Sequence, residues 1–196
     1  MKDGKQSGAW AASNGAKDYS LATIGNLEAE AVVTETICAK MDGVSAFIEG
    51  GETKILALCN AVSSGVGSAP GSLRAIDGGR SNVSAKMGTK DARQSVRVEI
   101  NGKANDTGIW SKKDMEIRAE NKGSATAEME RKGAYSLLNV NSSSQPTESW
   151  FDTGVTIFQG VSLGTNGKMT VSSLSGVTAQ SKVDNESLGL ILNVIP

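Results

Sequence analysis

Asp114–Lys132 reads DMEIRAENKGSATAEMERK, and the faces on which its apolar residues fall decide how the chain is built. Met115, Ile117 and Ala119 alternate with Glu116, Arg118 and Glu120, and Ala125, Ala127 and Met129 continue the pattern after a polar break. Successive side chains of a strand point to opposite faces, whereas a helix turns about 100° per residue and would scatter these positions around its circumference. Strand is therefore expected on both sides of Asn121, Lys122 and Gly123. A three-residue loop there places glycine where a type I turn followed by a G1 bulge needs φ > 0. It opposes Ala119 to Ala125, Ile117 to Ala127 and Met115 to Met129, with Arg118 diagonal to Glu128 on the other face. A two-residue loop would slip the pairing and mix the faces.

The same device fits VSLGTNGKMTVSS, Val161–Ser173, where a Thr165, Asn166, Gly167 loop opposes Leu163 to Met169 and Val161 to Val171. Alternation also runs through Leu27, Ala29, Ala31, Val33, Ile37 and Ala39, then Val96, Val98 and Ile100, then Val155 and Ile157, then Leu188, Leu190, Leu192 and Val194. LEAEA at Leu27–Ala31 has helical propensity, but pattern outweighs propensity. Leu27–Gly51 is thus expected as a long strand, an Asp42, Gly43 turn and a returning strand. The fold expected is all-β: mainly antiparallel hairpins forming a thin sandwich or a solenoid-like stack of short strands with a small-residue core.

Composition sets the material of that core. Hydrophobic residues are 38% and aromatics 4% of 196 residues, with 23 glycines, so Ala, Val, Ile, Leu and Met must fill the interior. Residues 1–20 read as a polar N-terminal arm and 21–196 as a single β-rich domain, with Ser63–Ser81, rich in glycine and proline, as a linker or long loop. Residues 1–20 carry no apolar stretch of the kind an export signal needs. Either the chain stays in the cytoplasm or Met1 heads a mature, already cleaved chain.

Net charge is −1 and pI about 5.6, so no basic field draws nucleic acid or an anionic membrane. The apolar run Leu188–Ile195 is far shorter than the roughly 20 residues of a spanning helix, so no membrane insertion is expected.

The chain has no histidine. That removes Ser-His-Asp and Cys-His nucleophiles, His-bound zinc and the usual general base near neutral pH. The carboxylates mostly alternate with Lys or Arg, as on a solvated sheet face rather than in a glycosidase cleft. No catalytic residue and no cofactor is assigned. Gly65, Gly67 and Gly71 after the strand KILALCNAV superficially resemble a dinucleotide-binding turn, but Pro70, Gly78 and Gly79 leave no room for the helix that holds the pyrophosphate. Asp42, Asp77, Asp106 and Asp152 sit in expected turns without the spacing of a calcium loop, so no metal site is assigned.

Cys38 and Cys59 are candidates for a disulfide, within one chain or between two, against the alternative of two reduced thiols. Asn82, Asn105, Asn141 and Asn185 are N-glycosylation sequons. Trp10, Trp110 and Trp150 are isolated along the chain, and Trp110 and Trp150 lie beside polar residues, as exposed contact aromatics do.

Charge is dense from Lys90 to Lys132 and sparse after Gly133, and weakly charged strands such as GKMTVSSLSGVTAQS have the character of edges that pair with other copies. Through Cys38, Cys59 and the weakly charged strands from Val155 onward, the chain resembles the self-assembling extracellular sheath and surface-layer proteins of methanogenic archaea. The resemblance implies extended β-structure, association of strand edges and disulfide cross-linking. The function expected is an extracellular or cell-surface structural protein whose partner is itself. The alternatives are a cell-surface adhesion domain binding glycan through Trp110 or Trp150, and a viral or phage structural subunit.

Overall fold

The computed structural model describes residues 7–15, 21–102 and 107–194, and among these there is no helix. The chain winds through three full rungs and begins a fourth. The first rung holds β1 (Ser7–Asn14), β2 (Ala22–Val33), β3 (Thr36–Asp42), β4 (Ser45–Ile48) and β5 (Thr53–Cys59). The second holds β6 (Ala61–Ala69), β7 (Ser72–Met87), β8 (Gln94–Asn101), β9 (Thr107–Ser111) and β10 (Met115–Asn121). The third holds β11 (Ser124–Ser144), β12 (Thr147–Ser149), β13 (Phe151–Ile157), β14 (Val161–Thr165) and β15 (Met169–Ser175), and β16 (Thr178–Val194) opens the next.

Every strand pairs with its counterpart one rung away, and every pairing is parallel. Ser7 lies beside Ala61, 54 residues on, and Ser45 beside Gly108, 63 on. Four parallel sheets result: a large one containing β1, β2, β6, β7, β11, β12 and β16, and three of three strands each, β3-β8-β13, β4-β9-β14 and β5-β10-β15. Across the interior β6 faces β2 and β7, while β5 and β10 face β3, β8 and β13. The molecule is a flattened β-solenoid.

This overturns the antiparallel hairpins. Asn121, Lys122 and Gly123 do not reverse the chain: β10 passes into β11 as the next rung begins, and Lys122 N–H donates to Cys59 O of the rung before at 2.8 Å. Gly123 does not have positive φ. It is small because a Cβ there would collide with the Met87 side chain. At Gly167 a Cβ would strike the Asp114 carboxylate one rung back, so this glycine too answers a close approach rather than a hairpin. Corner positions Gly43, Gly51 and Gly160 do take the left-handed conformation, at φ 59°, 90° and 86°. The Asp42, Gly43 turn therefore exists, but β4 leaves it to join β9 instead of returning along β3.

The alternation itself is preserved, because one face of every parallel strand still has to be dry. Leu27, Ala29, Ala31 and Val33 are buried, as are Val96, Val98, Ile100, Met115, Ile117, Ala119, Ala125, Ala127 and Met129. All of these but Ala31 form one continuous core with Met87, Ile109 and the alanines of β5, β6 and β7. Burying each Ile or Met side chain contributes roughly 1.5–3 kcal/mol. The layers approach closely where side chains vanish: a Cβ on Gly65 would lie 2.5 Å from Ser84 O, and one on Gly67 2.6 Å from Val83 Cγ2. Ser63 ties the layers where its hydroxyl donates to Ala31 O at 2.8 Å and accepts from Lys86 N–H at 3.1 Å.

Ser7–Asn14, inside the expected polar arm, is β1 and pairs with β6. Ser63–Ser81, expected as linker or loop, is occupied by β6 and the first part of β7, broken only around Pro70 and Gly71.

Candidate functional site

Two surfaces set by the winding stand out: the open end of the third rung and the outer face of the β4-β9-β14 sheet. At the open end, inward residues lose the neighbour that covers their counterparts. Met169 and Val171 are 39% and 47% exposed, while Met115 and Ile117, on which they stack in register, are 1% and 0% exposed. Ile157 is likewise exposed beside fully buried Ile100, and Val183 beside buried Met129. Along β13 and β15 the third rung thus presents apolar side chains in the column that is dry one rung below.

On the β4-β9-β14 sheet the outward column runs Phe47, Trp110, Gly164. A Cβ at Gly164 would come within 2.6 Å of indole atoms Cε3 and Cζ3, so the Trp110 ring lies flat over the glycine backbone. Trp110 remains 51% exposed and Phe47 62%. Beside this column runs a second outward one, Ser45, Gly108, Ser162, whose small side chains leave an open groove of about 630 Å³ bordered on one side by the two rings. Lys112 flanks Phe47, with Nζ 5.8 Å from the ring centre and 2.9 Å from Glu49 Oε1.

Trp150 is differently held. Its indole N–H donates to Glu148 Oε2 at 3.2 Å and Arg93 stands over the ring at 5.7 Å, so polar neighbours already occupy its exposed side. Trp10 is exposed on β1.

Both thiols are free. Cys38 points outward from β3 and Cys59 inward from β5, so no bridge joins them within this fold. Gln94 Nε2 donates to Cys59 Sγ at 2.9 Å, and the thiol lies 3.8 Å from Glu35 Oε2. Burial, followed by the Glu35 charge, pushes the Cys59 thiol pKa up, which keeps it protonated and unreactive.

The expected turn aspartates are scattered. Asp42 pairs with Lys40 at 3.2 Å, and Asp152 with Arg97 at 3.2 Å and Arg93 at 3.4 Å. Asp77 is buried, 3.8 Å from Arg131 and accepting from Asn141 Nδ2 at 3.3 Å. Asp106 lies outside the described residues. Among those described, no three His, Cys, Asp or Glu side chains gather to hold a metal. Of the sequons, Asn82 is half-buried on β7, and Asn141 turns its amide inward to Asp77, where a glycan has no room. Asn185 lies on β16, and Asn105 lies outside the described residues. Gly65 and Gly67 are strand residues of β6, with Gly71 just beyond it.

No family model, curated protein or solved structure matches this chain. The weakly charged stretch GKMTVSSLSGVTAQS, expected as an associating edge, contains β15 of this open edge, and Trp110 stands out in the sequence, but the groove does not. The partner of Trp110, Gly164, is 54 residues further on, and no local signal joins them.

Proposed function

We propose that the chain is an extracellular structural protein that assembles with other copies through its open strand edges, building a sheath, surface layer or filament. The carrying observation is the apolar edge of the third rung: among the described residues β13, β14 and β15 each have a strand partner on one side only, and Met169, Val171 and Ile157 stand half-uncovered there. Covering what remains exposed would contribute about 1 kcal/mol per side chain, and unpaired backbone groups supply direction and register.

Sizing and electron microscopy of the purified chain over rising concentration test this. Oligomers or fibres are expected, and Val171→Lys should suppress them while leaving the β-sheet circular dichroism intact. A strictly monomeric chain at high concentration overturns the proposal. The adhesion reading draws on a different observation, the aromatic groove on the side of the solenoid.

A further inference from the structure

We propose that the groove on the outer face of the β4-β9-β14 sheet binds a neutral oligosaccharide, with a pyranose ring stacked on the exposed indole of Trp110. Four features carry this inference. The indole is laid flat by Gly164 beneath it, so one aromatic face is spent on the backbone and the other is turned to solvent. A flat, rigid aromatic face suits the C–H-rich face of a sugar ring, which it desolvates without requiring charge.

Phe47 continues the aromatic row one rung away, giving two rings along one groove rather than one isolated ring. The floor is built of Ser45, Gly108 and Ser162, so two hydroxyls face the groove and no bulky side chain fills it. Among the described residues Lys112 and Glu49 at its border neutralise each other at 2.9 Å, which favours an uncharged ligand over an acidic one. Trp150 lacks these features, because Arg93 and Glu148 already engage its ring and N–H. The strands run across the groove at neighbouring rungs, about 4.8 Å apart, comparable to the length of one pyranose unit. A chain of sugars can therefore follow the stack from Phe47 across the Trp110 indole that covers Gly164.

The test is a glycan array on the intact chain, followed by calorimetry with soluble neutral oligosaccharides such as cellohexaose and chitohexaose. Binding is expected. It should weaken at least about tenfold in Trp110→Ala and be lost in Gly108→Leu. At Gly108 a new Cβ meets Ser162 only at 3.6 Å or beyond, so the variant should fold normally while its side chain fills the groove. Trp150→Ala, on a different surface, should bind as the parent does. The proposal is overturned if the parent chain binds no neutral glycan. It is equally overturned if Trp110→Ala and Gly108→Leu, both folded by circular dichroism, bind unchanged.

Discussion

Ile117 and Val171 occupy one inward column, in register on β10 and β15, yet the solenoid gives them opposite surroundings. Ile117 is fully buried between Ile55 and Val171, whereas Val171 is 47% exposed. Ile117→Ala removes three carbons at about 0.8 kcal/mol each and leaves a cavity between rungs that cannot collapse without moving two sheets. About 3 kcal/mol is expected, within the range for such truncations. Val171→Ala removes two carbons that are already half in water, so about 0.8 kcal/mol is expected. The difference of roughly 2 kcal/mol is about thirtyfold in the folding equilibrium. Thermal unfolding followed by circular dichroism should show it as a loss of about 6–12 °C for Ile117→Ala and about 2–3 °C for Val171→Ala. The measurement belongs at the lowest usable concentration, where the end rung is bare. Equal costs there would refute the stacking of β15 outside β10. A cost for Val171→Ala that rises with concentration would show the end rung being covered as copies meet.

A thiol reagent should label one cysteine per native chain, Cys38, and both after denaturation; rapid native labelling of Cys59 would contradict its burial against Gln94. Gly65→Ala should destabilise by about 1–3 kcal/mol in urea titration, because its new Cβ meets backbone at Ser84 O rather than a movable side chain. Gly164→Ala should leave stability nearly unchanged but lift the Trp110 ring, shifting its fluorescence to the red; an unaltered spectrum would mean that the indole does not rest there. Glu120 adds a pH signature. The hydrogen bond and charge of Lys122, with Arg118, hold its carboxyl below the usual carboxylate range. Its contribution is present above the unfolded value of about 4.3 and is lost as pH falls through the lower folded value. Acid unfolding of Glu120→Gln should be correspondingly shallower, and an unchanged acid profile would remove the assignment.

Side-chain orientation was legible from the sequence because water enforces it locally: the apolar positions of Leu27–Val33 and Met115–Ala119 face inward as alternation requires. Strand partners were not legible, because they are set by residues 53 to 63 positions distant whose likeness is only one of size. Thr53, Met115 and Met169 share one column, and Ala57, Ala119 and Ser173 another, without any repeated word. Gly123 and Gly167 misled for a definite reason. Glycine serves both positive φ and tight contact, and a single sequence does not display Met87 or Asp114 pressing against it. For the groove, Trp110 was visible as an aromatic among polar neighbours, while the glycine seat and serine floor that make it a platform come from other rungs.

The spacing of 53 to 63 residues between paired strands also governs how such a chain comes to be folded. No strand has a partner within its own rung's immediate neighbourhood, so pairing gains nothing until a loop of that length has closed. In a chain of 196 residues each strand pair spans about 0.3 of the length, the kind of non-local pairing that slows folding. The first two rungs must meet before either is stable, and each later strand then finds a finished edge to settle on. Folding is therefore a slow beginning followed by growth along one direction, with the last strand laid down serving as template for whatever arrives next.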